Sequence, residues 1–257
     1  MLVLSRALFG RDLALSGFPR LKSLRGLGIS DSEAYSRRLE EVFSYTNTFY
    51  HREPRFDLMD PDPTEFGKYD FVVCSEVLEH VPGPVDRAFK TLSQLLKPGG
   101  LLILTVPYSV EDGTIEHFPE PSQGGLVVLD GKTVLVNRSR DGRYQVFDKL
   151  VFHSGHGSTL EMRVFAEADV RAKLADAGFA NVRIEAAGSQ EYGVAFTGPC
   201  SLPIIASRSP FSLCLSGIGE VVDQLVAARS MLKDAKESRW VRLGRWLRFG
   251  PKIRLDT

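Results

Sequence analysis

Hydrophobic positions change their spacing several times along this chain, and each change marks a new predicted element. Within Tyr69–Pro107, an apolar run that ends at Ser75 and Glu76 predicts a buried parallel strand. From Pro84, apolar positions recur at three and four residues, as on one face of a helix, until residues 97–100 (KPGG) end that helix. A second apolar strand follows at once. Strand, helix and strand predict a βαβ unit, whose ligand would lie beyond the carboxyl ends of its strands.

The residues before this unit predict three further strands and a helix. Alternating apolar positions and two glycines precede a polar turn, in which Ser30 or Asp31 can cap the helix. The predicted elements are a strand at 24–30, a helix at 32–43, and strands at 44–49 and 55–59. Their order favours an open, mostly parallel α/β sheet.

After Pro107 the spacing becomes that of short antiparallel strands. Runs at 126–129, 133–137 and 144–152 are separated by Asp-Gly turns, which predicts an antiparallel insertion over the carboxyl edge of the sheet. A helix at 167–177, a strand at 182–186 and a helical stretch at 219–246 follow. We therefore predict a Rossmann-like α/β fold with a β insertion after strand five and a helical C-terminal tail. The predicted domains are a main domain at 1–208, which contains the insertion at 109–164, and a tail at 209–257.

Composition is that of a soluble globular protein and argues against several classes. The 257 residues are 43% hydrophobic and 25% charged, and the formal net charge is zero, so no overall field attracts nucleic acid or a membrane. Three scattered cysteines favour a reducing cytoplasm over a disulfide framework. The N-terminal apolar run is too short for a signal sequence, and no window is long enough to span a bilayer. We expect a cytoplasmic protein.

The segment YDFVVCSEVLEHVPGPV, followed by LKPGGLLILTVP, resembles part of a known family. It is similar to the fourth strand, following helix and fifth strand of class I S-adenosylmethionine-dependent methyltransferases, in their small-molecule type 11 branch. The similarity is specific over Phe56–Pro107. It implies S-adenosylmethionine as the methyl donor, and a final antiparallel hairpin that residues 193–196 and 202–206 could supply.

The resemblance also implies which residues line the cofactor. Asp57 or Asp60 would meet the adenine ring, and Ser75, Glu76 and Val77 would close over the cofactor.

Two parts of the family's cofactor pattern are altered in this chain. Gly26 and Gly28, with Ser30 where a third glycine would fall, stand in place of the GxGxG turn, in which glycines let the backbone approach the cofactor. Asn47 or Thr48 stands where a carboxylate at the end of strand two would grip the ribose hydroxyls. Either side chain can hydrogen-bond a hydroxyl group, but neither is a charged acceptor.

Candidate residues for the acceptor side follow the fourth and fifth predicted strands. Glu79 and His80 come after strand four, and Tyr108, Glu116 and His117 come after strand five. A histidine can accept a proton as the methyl group is transferred, and a neighbouring carboxylate can orient it. The alternatives are that His80 packs or caps the start of the crossover helix, and that the later loop is merely solvated.

Two further histidines, His153 and His156, are spaced three apart in a glycine-rich loop. With no clear third ligand they do not form a metal site, and we predict none.

The last residues combine arginines with Trp240, Trp246, Leu247 and Phe249. A helix packed on its own domain, a membrane-surface helix and a protein-docking surface all have this pattern. Nucleic-acid binding is disfavoured because no reading module accompanies the arginines.

The sequence as a whole predicts methyl transfer from S-adenosylmethionine to a small-molecule or sugar-containing acceptor. Oxygen is slightly favoured as the methylated atom because His80 is a candidate base. The alternative is a methyltransferase-like scaffold that has lost catalysis and serves as a binding or docking module. A nicotinamide-dependent oxidoreductase is disfavoured because the GxGxxG fingerprint is absent.

Overall fold

The computed structural model describes residues 1–118, 123–139, 141–153, 159–196, 201–209, 227–228 and 230–231. The chain divides into two compact units, Met1–Leu213 and Cys214–Thr257. Only four residues of the second unit are among those described, and these four are helical. The predicted helical tail and its boundary at residue 209 therefore lie almost wholly outside the described residues and stay predictions.

The helices of the described residues begin and end close to the predicted positions. Ser32 caps the first predicted helix by accepting a hydrogen bond from Ala34 N at 3.3 Å, so the caps predicted at Ser30 or Asp31 are wrong. The helix at Leu2–Phe9, which buries Leu4 and Leu8, was not predicted. The α-helices are α1 Leu2–Phe9, α2 Glu33–Val42, α3 Asp86–Leu95 and α4 Glu167–Asp176. Within the described ranges, no helix combines the length and hydropathy that a membrane crossing requires.

The strands of the described residues build one six-stranded sheet and three small sheets. In chain order they are β1 Leu21–Ile29, β2 Phe43–Thr48, β3 Tyr69–Ser75, β4 Leu96–Thr105, β5 Tyr108–Ser109, β6 Ile115–Glu116, β7 Gln123–Leu129, β8 Lys132–Arg138, β9 Tyr144–Phe147, β10 Phe152–His153, β11 Thr159–Leu160, β12 Arg163–Ala166, β13 Asn181–Ile184 and β14 Ile204–Ser207. The large sheet has the order β13-β14-β4-β3-β1-β2. Its first four strands in the chain are mutually parallel, whereas β14 is antiparallel to both β4 and β13.

The strand, helix and strand predicted for Tyr69–Pro107 are confirmed. Strands β3 and β4 are parallel neighbours, with Ser75 opposite Thr105. The apolar face of α3 lies in the same core cluster as the alternate residues of β3, so the helix spacing read from the sequence does face the sheet. Fully buried members include Val72, Phe89 and Leu92. Because the two strands are parallel neighbours, their carboxyl ends lie together at one edge of the sheet.

The strand predicted at residues 55–59 is wrong, because this stretch makes only an isolated parallel bridge between Phe49 and Arg55. Asp57 Oδ1 accepts a hydrogen bond from Met59 N at 2.8 Å, so a turn closed by a side chain replaces strand pairing. The crossover from β2 to β3 is consequently a loop with one 3-10 turn at Pro63–Glu65.

Strands β7, β8 and β9 are antiparallel neighbours in the region of the predicted insertion, and the third of them ends at Phe147 rather than at residue 152. Asp130 and Gly131 both have positive φ, 49° and 76°, as a two-residue hairpin turn between twisted strands requires. Leu135 packs with Phe118 and Met162 in a small apolar cluster.

The end of the sheet differs in part from the expectation. Strand β14 agrees with the predicted strand at 202–206, and β13 agrees with the one at 182–186. Residues 193–196 contribute only a bridge between Ser189 and Val194, so they are not the first strand of the predicted hairpin. Strand β13 pairs with β14 instead.

Candidate active site

Polar side chains stand at the carboxyl edge of the large sheet, where β1, β3 and β4 end side by side. The hydroxyl groups of Ser75 and Thr105 lie 2.7 Å apart. Glu76 N donates a hydrogen bond to Thr105 O at 2.9 Å, and Glu76 has a φ of 53°. A residue other than glycine in this left-handed region carries strain on the order of 1 kcal/mol or more, and such residues concentrate at functional sites. The predicted residues Ser75, Glu76 and Val77 are therefore brought together, each half-buried, at this edge.

A closed hydrogen-bond network occupies the corner between β1 and β2. The carboxylate of Asp31, which is only 3% exposed, accepts hydrogen bonds from the hydroxyls of Tyr35, at 2.8 Å, and Tyr45. Asn47 Oδ1 accepts from Asp31 N at 2.9 Å, and Asn47 Nδ2 donates to Asp31 O at 2.8 Å. Burial raises the pKa of the Asp31 carboxyl to about 6. Both polar ends of Asn47 thus bind the protein's own backbone, although the sequence suggested that this side chain would hold a ribose.

The glycines predicted to form the cofactor turn lie inside β1 rather than after it. A Cβ atom on Gly26 would lie 2.6 Å from Tyr45 Cδ2 and against the ring of Phe71, whereas one on Gly28 would lie 2.6 Å from Asp31 Oδ2. The rings of Tyr45 and Phe71 stack with centroids 5.8 Å apart. Both glycines therefore make room for the protein's own side chains. The turn itself begins at Ser30, which is exposed and has a φ of 58°.

Replacing Gly26 by alanine should lower the free energy of unfolding by about 1–3 kcal/mol, because the added methyl group overlaps two buried rings. Gly17→Ala is the matched control, since nothing lies within 4 Å of a Cβ at that position. Urea denaturation of both variants measures the difference. Equal stabilities would contradict the packing role of Gly26.

A cavity of about 530 Å³ lies between β1, β2 and the crossover loop. It extends to Arg25 and to Tyr69 at the start of β3, and Ser75 and Glu76 do not line it. The predicted cofactor residues Asp57 and Asp60 line it, together with Thr48 and Phe56. It combines aromatic and aliphatic surface with hydroxyl and carboxylate groups. These are the groups that a nucleoside-sized ligand requires for both shape and hydrogen bonding.

The 3-10 turn Leu78–His80 follows β3 and carries two of the predicted acceptor-side residues, Glu79 and His80. Glu79 is fully buried, and its backbone oxygen accepts a hydrogen bond from Met162 N at 2.7 Å. Burial raises the pKa of the Glu79 carboxyl to about 8, with further raising contributions from the charges of Glu76 and Glu161. At neutral pH this group is therefore protonated and is not a carboxylate base.

His80 is held through one ring nitrogen. Its Nδ1 lies 2.9 Å from Leu160 O, and because a carbonyl only accepts, Nδ1 carries the proton. Its Nε2 lies 3.6 Å from Glu79 Oε1. The ring is thus fixed between the turn and the segment at 160–163.

His117 is held by the same segment. Its Nε2 lies 2.9 Å from Glu161 Oε1, and its backbone N donates to Met162 O at 2.9 Å. Glu161 is 6% exposed. Of the other predicted acceptor residues, Tyr108 is 1% exposed and lies in the main apolar core, so its ring is not on an open loop.

Arg163 binds the backbone of the turn at Leu78–His80 and was not predicted from the sequence. Its guanidinium donates to the backbone oxygens of Leu78, at 2.9 Å, Val81, at 2.7 Å, and Gly83, at 3.1 Å. Its Nε also donates to Glu116 Oε1 at 2.8 Å. A sequence signal was present. Glu161 and Arg163 occupy alternate positions in line with Phe165, so two charged residues share a face with a core residue. Buried charges of this kind are rare unless they are paired.

The predicted pair His153 and His156 is not tested, because His156 lies outside the described residues and only the backbone of His153 is described.

An open α/β sheet of this topology, with polar groups at the carboxyl ends of its parallel strands, is the class I methyltransferase architecture. A family model described as a methyltransferase domain matches residues 24–184. The match spans more than half of the chain, and the protein therefore belongs to this methyltransferase family, whose methyl donor is S-adenosylmethionine.

Curated relatives match a shorter stretch. The ubiquinone biosynthesis O-methyltransferase of Marinobacter nauticus is 36% identical over 55 residues, which are 21% of this chain and 23% of that protein. The enzyme of the same description from Xanthomonas campestris is 38% identical over 68 residues, 26% of this chain and 27% of that protein. The chain thus spans about a quarter of the length of these relatives.

Solved structures with a similar fold include two small-molecule methyltransferases. A 1,6-didemethyltoxoflavin-N1-methyltransferase from Burkholderia thailandensis, with S-adenosylhomocysteine bound, is 17% identical over 74% of this chain and 72% of its own, with a TM-score of 0.42. A sugar N-methyltransferase from Streptoalloteichus is 15% identical over 72% and 81% of the two chains, with a TM-score of 0.43. Likenesses at this level bear on neither substrate nor site.

Two separate places in the structure offer groups that suit the family's donor. Glu76 offers a carboxylate and Ser75 a hydroxyl to a cationic, amino-acid-like group, and the cavity lined by Asp57 has room for a nucleoside. The corner between β1 and β2 differs from the family's pattern, because Asp31 and Asn47 are bound to each other. Ribose contacts would therefore come from the residues that line the cavity.

Proposed function

We propose that this protein transfers a methyl group from S-adenosylmethionine to a hydroxyl group of a small-molecule or sugar-containing acceptor. The observation that carries the proposal is the carboxyl edge of β3 and β4, where Ser75 and Glu76 adjoin the buried turn of Glu79 and His80. S-adenosylmethionine, when bound, supplies an electrophilic methyl group on a positively charged sulfur. Both curated relatives, which match a short stretch of this chain, are named O-methyltransferases. Their names support oxygen as the acceptor atom.

In this proposal Glu76 binds the positively charged end of the donor, and Asp57 and Thr48 hold its nucleoside in the cavity. A charge-assisted hydrogen bond to a carboxylate is stronger than a neutral one, and the half-buried position of Glu76 limits screening by water. Alignment of the acceptor with the methyl group lowers much of the barrier of an in-line displacement. The protein's remaining task is to receive the acceptor's proton, for which His80 and His117 are the candidates.

Glu76→Gln should weaken the binding of S-adenosylmethionine by about tenfold or more, because a hydrogen bond to a charged group contributes about 1.5–3 kcal/mol. Isothermal titration calorimetry with S-adenosylmethionine and S-adenosylhomocysteine measures the change. Glu111→Gln, on the exposed loop after β5, is the control and should bind as the wild type does.

A wild-type protein that binds the donor at micromolar concentration supports the enzyme. Heat changes absent even at millimolar donor would instead favour the alternative of a scaffold without catalysis. The closed network of Asp31 and Asn47 is the observation that keeps this alternative open. Normal affinity in Glu76→Gln would mean that the donor lies elsewhere on the edge.

A further inference from the structure

The two acceptor-side histidines differ in what holds them. His80 donates its Nδ1 proton to a backbone carbonyl, and its other nitrogen lies beside the Glu79 carboxyl, which is protonated at neutral pH. His117 instead pairs its Nε2 with the side chain of Glu161 at 2.9 Å. A carboxylate stabilises the positive charge that an imidazole gains when it accepts a proton more strongly than a neutral carbonyl does. The geometry therefore distinguishes His117 from His80.

Glu161 is well placed to fix the orientation of the His117 ring. It is 6% exposed, and its backbone N donates to Val151 O at 2.8 Å. The next residue, Met162, binds the backbone of His117 through its oxygen and that of Glu79 through its nitrogen. One short segment thus joins the His117 loop to the turn after β3.

The other nitrogen of His117 remains available for chemistry. With Nε2–H donating to Glu161, the neutral ring keeps Nδ1 as an acceptor, and among the described residues Nδ1 makes no hydrogen bond. The ring is 23% exposed and lies edge-on to Phe118, with centroids 6.2 Å apart. Phe118 belongs to the apolar cluster with Leu135 and Met162, so the His117 ring has an apolar neighbour on one side and the Glu161 carboxylate on another.

We propose that Glu161 is a positioning residue that holds His117 so that its Nδ1 receives the proton of the acceptor hydroxyl. This inference rests on the proposed function. In the step, the acceptor O–H bond breaks and its proton goes to Nδ1, while an O–CH₃ bond forms and the methyl–sulfur bond breaks. The sulfur keeps the electron pair of that bond and leaves as a neutral thioether, and Glu161 compensates the charge of the imidazolium.

The test has one arm that needs no acceptor. Long-range ¹H–¹⁵N spectra of the full chain should show His117 as a single Nε2–H tautomer, with that proton protected from exchange by its bond to Glu161. Glu161→Ala should lose this protection, Glu161→Asp should restore part of it, and Glu111→Ala should retain it. An unchanged Nε2 proton in Glu161→Ala would overturn the inference.

The second arm measures turnover with catechol as the probe acceptor. Glu161→Ala should lower kcat at least tenfold while the KM for S-adenosylmethionine stays within a factor of two, because the donor contacts are elsewhere, and Glu161→Asp should recover part of the rate. A normal kcat in Glu161→Ala, or a loss that is confined to the donor KM, would overturn the role of Glu161.

Failure of the proposed function is distinguishable from failure of this inference. If neither the wild type nor Glu161→Ala binds S-adenosylmethionine by calorimetry, methyl transfer itself is contradicted. If the wild type binds the donor and leaves catechol unmethylated, phenols of this kind are contradicted as acceptors, and the Nε2 proton decides whether Glu161 positions the ring.

Discussion

Replacing Arg163 by methionine should lower the free energy of unfolding by about 3–5 kcal/mol, one of the two largest effects that we expect in this protein. Arg163 is only 1% exposed, and three backbone oxygens of residues 78–83 accept its protons. Methionine fills a similar volume but donates no hydrogen bond, so these oxygens would lose their partner away from water. Its acidic partner, Glu116, is 44% exposed and can be solvated after the change. The expected loss therefore comes from the carbonyl groups rather than from the broken ion pair.

Two further variants separate this explanation from a simple loss of charge. Arg163→Lys keeps the charge but has no planar fork to span three carbonyls, so its stability should lie between those of wild type and Arg163→Met. Arg171→Met removes an exposed arginine that pairs with Glu167 along α4, and should change stability by less than about 0.5 kcal/mol. Urea denaturation followed by circular dichroism gives all three values. A loss below about 1 kcal/mol in Arg163→Met would show that the turn does not depend on this side chain.

The sequence predicted the centre of the fold well because its signals there are local. The apolar runs of β3 and β4 and the face of α3 repeat regularly within Tyr69–Pro107, and the structure keeps this register. The predicted third strand failed because the side chain of Asp57 closes a turn with Met59 N, a competition that strand propensity does not register.

The candidate site was harder to predict because its contacts join distant residues. His80 meets Leu160 and His117 meets Glu161, and these pairs are 80 and 44 residues apart in the chain. The glycine turn was misplaced for a related reason. The sequence spacing could not reveal that Tyr45, on β2, would occupy the space beside Gly26.

Glu79→Gln should stabilise the folded protein at neutral and alkaline pH, by an amount on the order of 3 kcal/mol at pH 7. Burial raises the pKa of the Glu79 carboxyl from 4.5 to about 8, so the folded state binds a proton that the unfolded state has released between these values. The folded state therefore loses stability as the pH rises from about 4.5 to about 8, and the loss is complete above that window. Glutamine has nearly the same shape and does not titrate, so the variant should escape this loss.

The pH profile distinguishes the titration of Glu79 from any change in packing. The difference in free energy of unfolding between Glu79→Gln and wild type should be near zero at pH 4.5 and grow to its full value by pH 8. Asp31, whose pKa is also raised, titrates in both proteins and cancels in the difference. Glu40→Gln, on the exposed side of α2, should leave the wild-type profile unchanged. A difference between Glu79→Gln and wild type that is the same at every pH would mean that the amide alters packing, and that the Glu79 carboxyl ionises in the folded protein as it does in the unfolded chain.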